Sequence, residues 1–226
     1  MTLSYRLAAG LSLAALAMIL ILLMPPQFTN AARPPGGFQS PVLALEFARD
    51  LDEVDAILSN APSIDREIML AKTRLDYGFI AAYAALFAVM GLLLRRRGGL
   101  WKWAGLAAIH LALAAGIFDV AENLAIAAVC HVKLEATTPE MIRAIRFPSR
   151  IKWVLAFTAI GLLSPLFLTR RRVFWRALGA IWLLVAAVGL AGVAFRPSWI
   201  ELAMAPLPVL LFVQAILFWF WGNRRD

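Results

Sequence analysis

Six apolar runs constrain this chain more than any other feature. They cover about residues 7–24, 77–94, 101–130, 151–168, 174–195 and 200–221. A helix rises about 1.5 Å per residue, so roughly 18 residues cross the hydrocarbon core of a bilayer. Inside that core each backbone N–H and C=O must find its partner within the protein, which leaves helices as the form such runs take. The expected fold is therefore all-α: a single polytopic bundle over residues 1–226 with six transmembrane helices. Composition agrees, with 62% hydrophobic and 16% charged residues and a mean hydropathy of +0.77. Soluble domains are nearer half apolar and about a quarter charged. The first run resembles a signal peptide in position, but its apolar length and the Met24-Pro25-Pro26 sequence after it argue for an uncleaved span.

Positive charge sets the expected orientation. Arg6, Arg95-Arg96-Arg97 with Lys102, Arg170-Arg171-Arg172 with Arg176, and Arg224-Arg225 all fall at one end of the runs, in short segments. Dense Lys and Arg in short loops mark the cytoplasmic face, so both termini are expected in the cytoplasm of a cell-membrane protein. Trp101, Trp103, Trp219 and Trp221 fit an aromatic belt on that side. The net charge of +8 is divided among separate membrane edges and does not form a nucleic-acid footprint.

The connection over residues 25–75 is too long for a simple loop. Its first part is rich in Pro and Gly and reads as extended linker. Leu43, Phe47, Leu51, Val54 and Leu58 then recur at helical spacing, which predicts one amphipathic helix over about 42–59. Ser63 caps a following helix that continues into the second span. A smaller signal stands at Thr138-Pro139-Glu140, where Met141, Ile142 and Ile145 would form a short apolar face beside Arg143 and Arg146. Both amphipathic pieces are expected to cover the outer end of the bundle as a lid.

Under that lid the sequence stacks ionisable groups at one depth. Asp76 lies 19 residues from Arg95, Asp119 lies 18 from Trp101, and Lys152 lies 18 from Arg170. Each path is about 27–29 Å of helix. Asp119, Glu122 and Asn123 are spaced i, i+3, i+4 and so share a face. Ala108, Ala112, Ala115 and Gly116 approach that side and permit close helix packing. Lys72, Asp76, Tyr83 and Phe87 form a stripe on the second span, and Arg150 stands near Lys152. Lys152 opens the expected fourth span, where the helix dipole disfavours a cation, so a carboxylate partner from Asp119, Glu122 or Asp76 is expected. Charged groups in a bilayer are costly, and a layer of them is a candidate site. Asp119, Glu122 and Asp76 are the candidate catalytic acids and bases; Asn123, Lys152, Tyr83, Lys72 and Arg150 are candidate ligand-binding residues.

The remaining polar residues carry less. His110 is turned about half a circle from Asp119 and should make a hydrogen bond across a helix interface. Gln214, Ser164 and Thr158 are expected to join helices, and Pro165, Pro206 and Pro208 to kink them. Two histidines and one cysteine are too few for a zinc site without carboxylate help, and Cys130 has no partner for an intrachain disulfide. No metal and no cofactor is expected. No phosphate-binding glycine loop, nucleophile elbow or zinc-protease helix is present.

Three segments carry a resemblance: Leu45-Glu46-Phe47-Ala48, Leu75-Asp76-Tyr77-Gly78-Phe79 with Tyr83, and Phe118-Asp119-Val120-Ala121-Glu122-Asn123. Together they resemble a pattern in small uncharacterised bacterial integral membrane proteins. The likeness implies an architecture and no reaction. From the residues themselves, the leading expectation is binding of an amphipathic or lipid-like molecule at the outer leaflet. A membrane-embedded acid/base enzyme of isomerase or cyclase type is an alternative. An accessory subunit, paired with another membrane protein or with its own copy, is a third.

Overall fold

The computed structural model describes residues 2–30 and 35–221. Among these residues all regular structure is helical, and six helical segments are long and apolar enough to cross a membrane. The chain is a multi-pass membrane protein. Its helices are α1 (Thr2–Leu23), α2 (Pro41–Glu46), α3 (Leu51–Leu58), α4 (Ile64–Arg95) and α5 (Gly99–His131), then α6 (Pro139–Leu163), α7 (Pro165–Leu168), α8 (Val173–Phe195), α9 (Trp199–Met204) and α10 (Leu207–Trp221). The six spans are α1, α4, α5, α6 with α7, α8, and α9 with α10. Consecutive spans are neighbours, and α10 returns to pack on α1. From α4 onward, short connections between antiparallel helices produce this order.

Small residues set the spacing of α4 against α5. Ala108, Ala112, Ala115 and Gly116 are all buried on α5. A side chain at Gly91 or Gly105 would run into the facing backbone, so both must lack one. Gly189 of α8 makes room for the ring of Phe157 of α6 in the same way. Large apolar side chains such as Ile117, Leu124, Leu184 and Val209 stay exposed, as expected of a surface solvated by lipid. At the arginine end, Tyr5 of α1 meets Phe218 of α10. One turn or more inward, Gln214 donates to Ser12 at 2.8 Å.

Several local expectations need correction. The amphipathic stretch is two helices, not one over 42–59. Asp50 interrupts it by capping α3: its side chain accepts the Glu53 amide at 3.0 Å, and Glu53 reaches back to the Arg49 amide at 2.7 Å. A helix start of this strength competes successfully with helix continuation. The apolar stripe nevertheless holds, since Leu43, Phe47, Val54 and Leu58 are buried. The second correction concerns Thr138-Pro139-Glu140, which opens α6 itself instead of a separate surface helix. The helix continues through Pro148 into the span. Lys152 is therefore well inside α6, and the dipole argument for its partner does not apply.

Polar side chains also depart from expectation. Thr158 and Ser164 bond to carbonyls of their own helix, Val154 and Gly161, and do not join helices. His110 is exposed on α5 with Nδ1 against the Leu106 carbonyl of the same helix. The linker after α1 is pinned by carboxylates. Asp65 accepts the Thr29 amide at 2.5 Å and its hydroxyl at 2.6 Å. Glu201 of α9 accepts the amides of Gln39 and Ser40, the latter at 2.7 Å.

Candidate functional site

The site begins with α5, which presents Asp119, Glu122 and Asn123 on its inward face. The i, i+3, i+4 spacing puts all three on one side, and the small residues below them let α4 come close. Opposite them α6 brings in Lys152. Its Nζ lies 2.9 Å from Asp119 Oδ1, 2.7 Å from Glu122 Oε1 and 3.2 Å from Glu46 Oε1. All four side chains are buried. An isolated buried ammonium is unstable as an ion, so the carboxylates supply what burial removes. The partner expected from the sequence is present, and its cause is burial.

Glu46 enters from α2, outside the spans. It accepts from Lys152 with one oxygen and from the Trp153 indole N–H, at 2.7 Å, with the other. Burial pushes its carboxyl above the ordinary value of 4.5, against the opposing pull of Lys152 and the indole. The sequence reading missed this residue as a site member. The signal lay in the segment Leu45-Glu46-Phe47-Ala48, where a carboxylate stands beside the apolar stripe of an amphipathic helix.

Two further contacts to α5 come from α4. Tyr83 donates its hydroxyl to Asp119 Oδ2 at 3.0 Å. Asp76 accepts from Asn123 Nδ2 at 2.8 Å. Unlike the other three acids, Asp76 has no cation within ion-pair distance among the described residues. Glu122 Oε2 is buried without a hydrogen-bond partner. Lys72 lies on the same stripe but donates to the Leu22 carbonyl at 2.7 Å and the Met24 carbonyl at 3.3 Å, closing the last turn of α1. Arg150 does not join the group. It is exposed, two residues and about 200° around α6 from Lys152, and lines a small cleft with Arg49 and Arg146.

A cavity of about 210 Å³ opens beside this network. Glu46, Lys72, Asp76, Asp119, Asn123 and Lys152 form its polar wall, with Thr73 one turn from Asp76. Ile19, Leu43, Phe79 and Met204 form the apolar wall. It adjoins a wider cleft of about 480 Å³ between α1 and the α9–α10 break, and the two share Leu22, Leu43, Lys72 and Met204. The break follows from Pro206 and Pro208, which cannot donate the amide hydrogen bonds of a continuous helix. Among the described residues, no three His, Cys, Asp or Glu side chains are placed to hold a metal. Chemically the site offers carboxylates, a phenol and an amide in a dry wall, with an apolar trough alongside. No protein-family model, curated protein or solved structure matches the chain.

Proposed function

We propose that the protein binds an amphipathic, lipid-like molecule. Its head meets the Asp/Glu/Lys layer and its tail lies between α1 and the broken last span, in the outer leaflet of the cell membrane. One observation carries this reading: a cavity with charged and apolar walls continues into a wider cleft lined by α1, the connection that follows it, α2 and the α9–α10 break. Ligand sites combine mostly apolar lining with a few convergent polar groups, and this cavity has that pattern. The α2–α3 segment acts as the lid, since α2 contributes both Leu43 and Glu46 to the cavity wall. The termini lie in the cytoplasm, by the distribution of Lys and Arg.

The test is photo-crosslinking with a diazirine-bearing single-chain amphiphile in membranes. Label should reach peptides containing Leu43 and Met204, and Leu43→Trp, which fills the trough, should suppress it. Labelling spread evenly over all lipid-facing helices would count against a site.

A second reading is favoured by the hydrogen-bonded series Tyr83, Asp119, Lys152 and Glu122 beside Asp76. In that reading the same ligand is a substrate, and the acids transfer protons in an isomerisation or cyclisation. Turnover of the bound amphiphile that disappears in Asp119→Asn and Asp76→Asn, with binding retained, would favour the enzyme.

A further inference from the structure

The head group can be assigned a charge from the donors and acceptors that remain open in the cavity wall. An ammonium has three N–H donors and no acceptor. Those of Lys152 go to Glu46, Asp119 and Glu122. Lys72, the other cation of the wall, uses two of its three on the backbone carbonyls of Leu22 and Met24 at the end of α1. The Trp153 indole donates to Glu46, and the Tyr83 hydroxyl to Asp119. The donors around the cavity are thus largely engaged within the protein.

Acceptors are not. Among the described residues Asp76 receives one hydrogen bond, from Asn123, and no ion pair. That bond uses the amide nitrogen of Asn123 and leaves its Oδ1 as an acceptor. The Thr73 hydroxyl, on the same face of α4 as Asp76, lines the cavity as well. A phosphate or carboxylate head would find few donors and would face three carboxylates, Glu46, Asp76 and Asp119. An ammonium head would find a carboxylate, an amide oxygen and a hydroxyl.

We infer that the ligand is a cationic amphiphile, a protonated amine on a hydrocarbon chain, with Asp76 as the carboxylate that receives its N–H groups. The inference rests on the binding reading above. The cavity has room for about seven water-sized groups, enough for an ammonium and the first methylenes. The rest of the chain continues into the cleft between α1 and α9–α10. An alkylamine stays protonated at neutral pH, as lysine does.

The test is thermal unfolding in dodecyl maltoside micelles with dodecylamine, lauric acid or dodecanol added at matched concentrations. Dodecylamine should raise the midpoint saturably in the wild type, and lauric acid and dodecanol should not. Asp76→Asn should weaken the amine about tenfold or more in apparent Kd. Thr73→Val, close to isosteric, should weaken it several-fold and gives a second readout should Asp76→Asn fail to extract folded. Stabilisation by lauric acid instead of dodecylamine would overturn the cationic assignment and leave the amphiphile reading standing. So would equal stabilisation by the amine of wild type and whichever of the two variants folds. No shift with any of the three chain-matched compounds would overturn the amphiphile reading itself.

Discussion

At the scale of single residues the account turns on Lys152 and the unequal state of the four acids near it. Lys152 bridges α2, α5 and α6 through three carboxylates. Removing one member of a buried ionic group leaves the others uncompensated, at a cost of about 3–5 kcal/mol. Lys152→Met should therefore lower the unfolding midpoint strongly in detergent, and Glu122→Gln in the same molecule should restore part of the loss. A double-mutant cycle measures this, and simple additivity would remove the pairing. Glu46 makes a pH prediction whose sign follows from burial. Its folded-state pKa is raised, so the stability it contributes is complete below its ordinary 4.5 and lost as pH rises through the folded value. The margin of wild type over Glu46→Gln should accordingly shrink as pH is raised from below 4.5 towards neutrality, read from melts of both proteins. A margin that grows with pH would contradict the placement of Glu46 in a dry wall. The spacing of Asp119, Glu122 and Asn123 let sequence alone identify a shared face. Glu46 was hidden because its partners lie about a hundred positions away, and no local pattern encodes that contact. Arg150 shares the depth of Lys152 along α6 but lies about 200° around it, which separates it from the group.

At the scale of elements, α2 and α3 decide how the site is covered. Besides Glu46, two side chains fix their ends: the Asp50 cap on α3 and the Glu201 grip on the amides that precede α2. Asp50→Ala should cost about 1 kcal/mol, the ordinary value of a lost N-cap, and show as a lower midpoint. Glu201→Ala has a different expected effect. It should leave the spans intact but free the start of α2, raising cysteine labelling at an introduced Ser40→Cys several-fold and loosening ligand retention. Unchanged labelling would mean that α2 is held by its apolar face and Glu46 without help from Glu201. Sequence periodicity found the apolar stripe of this region but not its break. The stripe reports only which side chains are buried, whereas Asp50 and Glu53 determine where hydrogen bonding restarts.

At the scale of the whole molecule, the six spans were the most legible part of the sequence, because hydrocarbon leaves so few alternatives to long apolar helices. What the chain does is far less legible, since the proposed site gathers side chains from α2, α4, α5 and α6, helices far apart in sequence. Topology belongs to this scale. Reporter fusions after Gly98 should read as cytoplasmic, and an epitope near Asn60 should be accessible from outside; the reverse would turn the layer to the inner leaflet. The central claim, that the cavity holds an amphipathic molecule by its head and its chain, is tested most directly by native mass spectrometry of gently extracted protein. Wild type should retain a small molecule in one-to-one ratio, and Leu43→Trp and Asp76→Asn should each release it while remaining folded. Retention of the same molecule by both variants, or a bare wild-type chain that takes up no added amphiphile, would contradict the account.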